Sequence, residues 1–321
     1  MTSAGGSGFI FVADERRFGE RRSPETAMSR HVLVPVDGSP HSFGGLEYCL
    51  RSFPDATVTT AYVVDPAADH EATVGSTTSA EDAAEAHGER VLERTVEYAD
   101  GRDREVETVL RTGTPHTELL AVANTDVDHV VIGSHGESPL VRPFLGRVSE
   151  AVVRRAPVTT TIVHEPATAV RERELPGTVL VPLDGSEQAT AALEYALETF
   201  PEAEFTAFHA LELPFDRPQE EVEGTYLEAI LDDRERRAEE IFDAARALAD
   251  EYGVALETAT DNESPSNAVV DYADANDFDQ VIMGSHGRSL AARLFTGSVA
   301  ERVARRSPRT VTLVRGAPTE V

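Results

Sequence analysis

The chain repeats itself, and that repeat constrains the fold more than any other feature. "HVLVPVDGS" at 31–39 recurs as "TVLVPLDGS" at 178–186. "LEYCLRSFPDA" at 46–56 recurs as "LEYALETFPEA" at 193–203, and "RRAPVTTTIVHEPAT" at 154–168 as "RRSPRTVTLVRGAPT" at 305–319. Asp184 lies 147 positions after Asp37, but Gly284 lies 151 after Gly133. The second half therefore gains four residues between these points, which we place in its second helix. A unit this long is a duplicated domain, not a solenoid module. A chain of 321 residues suits two domains of roughly 100–200 residues each.

Each half alternates strand and helix patterns. His31–Val36 is a continuous apolar run, as in a strand covered on both faces. Ser39 or Ser42 can cap the next helix, which Pro54 stops. Thr57–Val64 is rich in Val and Thr and reads as a strand. Ser79 can cap a long amphipathic helix ending near Gly101. Glu105–Leu110 alternates as a third strand, and Pro115 sits in the first turn of a short helix. His129–Ile132 and Val158–Val163 read as the last two strands, with a helix over 146–155 between them. The second half predicts strands near 178–183, 204–209, 254–260, 279–283 and 309–314. Its helix near 224–252 carries Ile230, Ile241 and Leu248, which read as core. The expected fold class is α/β: two tandem domains, each an open five-stranded parallel sheet with helices on both faces and right-handed crossovers. The expected boundaries are a disordered tail over 1–29, domains over 30–165 and 178–316, and a charged, Pro-containing linker over 166–177. Met28, just before the first strand, is the expected true start.

The candidate chemistry sits in a glycine frame present twice. Residues 281–303, "VIMGSHGRSLAARLFTGSVAERV", share twelve of 23 positions with "VVIGSHGESPLVRPFLGRVSEAV" at 130–152. In the second half the frame is Gly284, Gly287, Gly297 and Ser298, between a strand and a helix. Glycines let a backbone approach a ligand closely. The helix start offers free N–H groups and a positive dipole end, which suits phosphate. A plainer reading stays open: Gly284 and Gly287 make a tight turn, and Ser298 caps a helix.

The spacing G-x2-G-x9-G-[S/T], behind a first strand ending in P-x-D-G-S, resembles the ATP-binding class of the universal stress protein family. The resemblance covers nearly all of 30–316 as two copies. It implies Rossmann-like domains of the adenine nucleotide alpha hydrolase type. In the second half it implies a phosphate loop of Gly284, Gly287, Gly297, Ser298 and Val299, with Met283 and His286 as neighbours. It also implies Pro182 and Leu183 beside adenine, Asp184 near the ribose and a possible Mg²⁺, and Ala210 in place of an adenine-contacting valine. In the first half Pro35, Asp37, Val63, Gly133, Gly136 and Gly146 match. That half departs at Arg147, where Ser or Thr is expected, and at Glu137 beside the second glycine. A carboxylate near a triphosphate costs on the order of 1–4 kcal/mol. Arg147 could itself bind phosphate. The expectation is one nucleotide site, in the second half. His135 and His286, inside the two loops, each either contact the phosphates or base of a ligand or order their own turn.

Other chemistry lacks its motifs. The sequence has no Lys, so no G-x4-GK[ST] loop exists, and it shows no zinc spacing and no G-x-S-x-G elbow. Nothing marks a dedicated catalytic base, so binding is expected over turnover, with slow ATP hydrolysis or a nucleotide-free interaction module as alternatives. The formal net charge of −28 repels nucleic acid and anionic membranes. In molar salt such charge is screened and keeps the protein hydrated, so a halophilic source is expected. Cys49 is the only cysteine, which fits a reducing cytoplasm. No apolar run reaches the roughly 18 residues that span a bilayer. The β-branched last strands "PVTTTIV" and "PRTVTLV" are edge candidates. The family resemblance implies that they pair, giving an internal pseudo-dimer, with a homodimer also possible.

Overall fold

The computed structural model describes residues 30–66, 80–135, 145–211, 225–285 and 297–315. The tail over 1–29, Met28 and the Ser79 cap lie outside them. The first half runs β1 (His31–Pro35), α1 (Pro40–Ser52), β2 (Thr57–Val64), α2 (Ala80–Asp100), β3 (Glu107–Thr112), α3 (Pro115–Ala123), β4 (His129–Gly133), α4 (Arg147–Arg155) and β5 (Thr159–Val163). After α5 (Ala167–Glu172) the second half repeats the order: β6 (Thr178–Pro182), α6 (Glu187–Thr199), β7 (Glu204–Ala210), α7 (Thr225–Tyr252), β8 (Leu256–Asp261), α8 (Pro265–Ala275), β9 (Gln280–Gly284), α9 (Ser298–Arg306) and β10 (Thr310–Val314). The third strand starts two residues later than its alternation suggests, because Glu107 is the first residue to register with β2.

Both halves are parallel sheets, and they join into one. The strand order is β3-β2-β1-β4-β5-β10-β9-β6-β7-β8. Only the central pair, β5 and β10, is antiparallel, with Thr161 opposite Thr312. Apolar side chains fill both faces. One layer holds Val34, Leu46, Val181, Leu193 and Phe242 under α1, α2, α6 and α7. The other holds Leu33, Ile162, Val152, Leu180 and Val303 under α3, α4, α8 and α9. Ile241 and Leu248 pack against the first layer, as expected.

A buried polar chain crosses the seam with reciprocal logic. Tyr48 donates to Gln280 Oε1 at 2.7 Å. Its repeat counterpart Tyr195 meets His129 Nδ1 at 2.9 Å. His129 Nε2 lies 2.8 Å from Thr161 Oγ1, which lies 2.7 Å from Thr312 Oγ1. Because these groups are buried, or part-buried in the case of Tyr195, each needs its partner. The internal pairing of last strands is thereby tied to specific side chains in both halves.

The segment expected as a linker is ordered structure. Its helix α5 lies on α1, so close that a Cβ at Gly44 would overlap the Glu165 carbonyl oxygen. Arg51 donates to the carbonyls of Val170 at 2.7 Å and Arg173 at 2.6 Å. Arg173 bridges Glu165 at 2.9 Å and Asp279 at 2.8 Å. Removing the guanidinium leaves two part-buried carboxylates without their cation. Arg173→Ala is therefore expected to destabilise the protein by about 1–3 kcal/mol in urea unfolding.

Candidate functional site

In each half the strand order reverses at one place. β1 is flanked by β2 and β4, and β6 by β7 and β9. The crevice in such sheets opens at the carboxyl ends of these strands. Pro182, Leu183 and Asp184 lie at the end of β6, and Ala210 closes β7. Met283 and Gly284 end β9, and Gly297, Ser298 and Val299 start α9. Pro35, Asp37, Val63, Gly133 and Gly146 take the matching places in the first half. His286, Gly287, Gly136 and Glu137 lie outside the described residues.

The Asp-Gly-Ser turn builds the near wall. Gly185 has φ +75° and Gly38 φ +91°, a conformation that glycine adopts without strain. Asp184 Oδ1 accepts from Ser186 N at 2.9 Å, and Asp37 Oδ1 from Ser39 N at 3.0 Å. Ser186 and Ser39 then cap α6 and α1 through their side chains. The aspartates thus hold their own turn, as Asx residues do, and also stand at the strand ends. On the α6–α7 side of this turn a cleft of about 290 Å³ opens beside Leu183 and Gly185.

The glycine frame forms the far wall, and its members have different tasks. A Cβ on Gly284 would sit 2.8 Å from the Gln188 carbonyl oxygen, and one on Gly133 2.5 Å from that of His41. The first glycine is therefore required by the approach of strand to helix. Gly297 is the N-cap of α9, with extended backbone at φ −64°, ψ 154°, and among the described residues no side chain caps that helix. Ser298 is the first helical residue, not the cap. Gly146 caps α4 in the same way, with Arg147 exposed at the first position.

The serine inside GSHG has a structural task that its spacing alone does not reveal. The carbonyl of Ser285 accepts from Gly297 N at 2.7 Å, and that of Ser134 from Gly146 N at 2.8 Å. This bond ties the two ends of each loop together. The repeat of GSHG in both halves was its available signal. His135 Nδ1 lies 2.9 Å from Ser134 Oγ, which fits a histidine that orders its own turn. Met283 is buried and packs in the core layer beneath α8 and α9. Nearby, His164 places its ring nitrogens 2.9 Å from Arg309 O and 3.0 Å from Ala304 O. Burial holds its pKa down to about 4. Among the described residues no group of three His, Cys, Asp or Glu is placed to hold a metal, and no helix is long and apolar enough to cross a membrane.

This arrangement defines a class: tandem α/β domains with a crevice at each topological switch point. The model of the universal stress protein family matches residues 28–164 and 177–315, and the chain belongs to that family. Universal stress protein Mb2028c of Mycobacterium bovis is 26% identical over 299 residues, 85% of this chain and 92% of that protein. Universal stress protein MJ0531 of Methanocaldococcus jannaschii is 29% identical over 140 residues, 43% of this chain and 81% of that protein. The crystal structure of a universal stress protein from Archaeoglobus fulgidus superposes with a TM-score of 0.64 at 22% identity, covering 90% of this chain and 97% of that one.

Proposed function

We propose that this protein acts in the stress response by binding an adenine nucleotide, ATP, in its second half, within the cytoplasm. One observation carries the reading. Among the described residues no side chain caps the first turn of α9 at the crevice edge, whereas α6 on the same edge is capped by Ser186. Uncapped amides and the helix dipole suit phosphate oxygens. Ser298 adds a hydroxyl at that turn, while Arg147 replaces it in the first half. Mg²⁺ usually takes one or two carboxylates plus phosphates and water, and Asp184 at the strand end fits that role for a nucleotide-borne ion. The ion would neutralise phosphate charge; the chain's own part is to hold and orient the nucleotide.

A second reading has its own support. The tight approach of Gly284 to Gln188 explains the first glycine without any ligand. In that reading both frames shape a nucleotide-free interaction module. Equilibrium dialysis with Mg-ATP, at low and at molar KCl, separates the two. Saturable binding is expected. Gly297→Val is expected to abolish it by walling off the helix start, while Gly146→Val leaves it nearly unchanged. Absence of binding by the full chain under both conditions overturns the proposal. The reverse pattern of the two variants would move the site to the first half. Sustained phosphate release that vanishes in Asp184→Ala would make the protein a slow ATPase.

A further inference from the structure

On the sheet face that carries α3, α4, α8 and α9, the two central helices present arginine to solvent. Both are nine residues long, "RVSEAVVRR" and "SVAERVARR", and together they hold six arginines and two glutamates. That local excess of positive charge stands in a chain of net charge −28. The pattern is periodic. In α4 the buried residues are Ser149, Val152 and Val153, so positions 147, 151, 154 and 155 form the outer stripe. In α9 Ala300, Val303 and Ala304 are buried, and 298, 302, 305 and 306 face out. Arg154, Arg155, Arg302 and Arg306 are all exposed.

The two stripes lie side by side. β5 and β10 are antiparallel, and each helix runs back against the strand it precedes, so α4 and α9 are antiparallel across the seam. Arg305 of α9 reaches to 3.9 Å from Glu150 of α4. The helix dipole accounts for cations in the last turns, at Arg154, Arg155, Arg305 and Arg306. It does not account for Arg302 in mid-helix, and it opposes Arg147 at the first position of α4. Arg309, by contrast, is neutralised by Asp274 and Asp277. Among the described residues no carboxylate pairs with Arg154, Arg155 or Arg302.

We infer that this arginine strip, built from both halves, is a docking surface for a short acidic segment of another protein. Size and charge select that occupant. Each stripe is about 12 Å long at 1.5 Å rise per residue. An extended acidic segment of about four residues matches it at roughly 3.3 Å per residue, and a hexapeptide covers it with one residue to spare at each end. Guanidinium forks pair with carboxylates in two parallel hydrogen bonds. A longer polyanion such as nucleic acid would run off the strip onto the acidic remainder of the molecule and be repelled there.

The test uses the full chain and a rhodamine-labelled hexaglutamate peptide, read by fluorescence anisotropy in 50 mM and 500 mM KCl. Binding that weakens with salt is expected. The variant R154Q/R155Q/R302Q/R306Q is expected to bind at least tenfold more weakly, with circular dichroism unchanged and the thermal midpoint lowered by only a few degrees, since three of the four cations sit in last turns. Absence of wild-type binding at 50 mM KCl, or equal binding by the variant, overturns the inference. Tighter binding of the oligonucleotide dT6 than of the peptide overturns it in favour of nucleic acid. Wild-type self-association that the variant loses, without peptide binding, overturns it in favour of a second copy of this chain.

Discussion

Acidification from pH 7 to pH 4 will weaken the seam between the two halves, with His129 as a principal cause. This histidine is buried at the centre of the polar chain, and burial, aided by nearby Arg30, holds its pKa down to about 3. In the unfolded chain a histidine titrates near 6.5. The unfolded state therefore takes up the proton first, and stability falls as pH falls. The contribution is complete above about pH 6.5 and is lost progressively down to the folded value. At about 1.4 kcal/mol per unit, the loss for His129 is at most about 5 kcal/mol. His164 acts in the same direction between about 6.5 and 4. It is only part-buried on its surface, so its share is smaller. The control is supplied by the repeat itself. Gln280 occupies the counterpart position and accepts from Tyr48 as His129 meets Tyr195. His129→Gln is expected to fold and to lose much less stability between pH 7 and pH 4.5 in urea titrations. An unchanged pH slope in the variant would show that His129 is not the responsible group.

Gly133→Ala and Gly284→Ala are expected to destabilise the protein far more than alanine usually does in a strand. The new methyl would meet backbone in both cases: His41 O at 2.5 Å in the first, Gln188 O at 2.8 Å in the second. Backbone cannot swing aside as a side chain can, so α1 or α6 must move away from the sheet. Overpacking of this kind costs about 1–3 kcal/mol, and Gly133, with the shorter contact, is expected to cost more. In the second half the same displacement moves the first turn of α6, whose cap Ser186 is held by Asp184 at the crevice. Gly284→Ala is thus expected to weaken ATP binding in dialysis, while Gly133→Ala lowers stability with little effect on it. Thermal unfolding with no loss in either variant would show that the strand ends are less tightly held than these contacts require.

Much of the fold was legible because its signals are local. The apolar run at His31–Val36, the β-branched run at Val158–Val163, Pro115 at a helix start and Ser39 before α1 each act on their own neighbours. The repeat then doubled every signal. The candidate site was legible as a spacing, since Gly284 and Gly297 bracket one loop between a strand and a helix. Their separate tasks were not. Whether a glycine is needed for a ligand or for a neighbouring helix depends on what stands opposite it. For Gly284 that is Gln188, almost a hundred positions earlier.

The segment over 166–177 marks the boundary clearly. Its charges and prolines suggest a tether, yet α5 lies on α1, and Arg173 joins Glu165 to Asp279 across more than a hundred residues. The duplicated α/β unit, its strand and helix order, and the two glycine frames are readable from the chain alone, because periodicity, caps and turns are properties of neighbours in the chain. Tertiary structure decided how the halves meet at β5 and β10, which glycine serves packing, and that the arginines of α4 and α9 share one surface. Those depend on long-range contacts, where the cost of burying a polar group or overlapping an atom is set by residues far away in sequence.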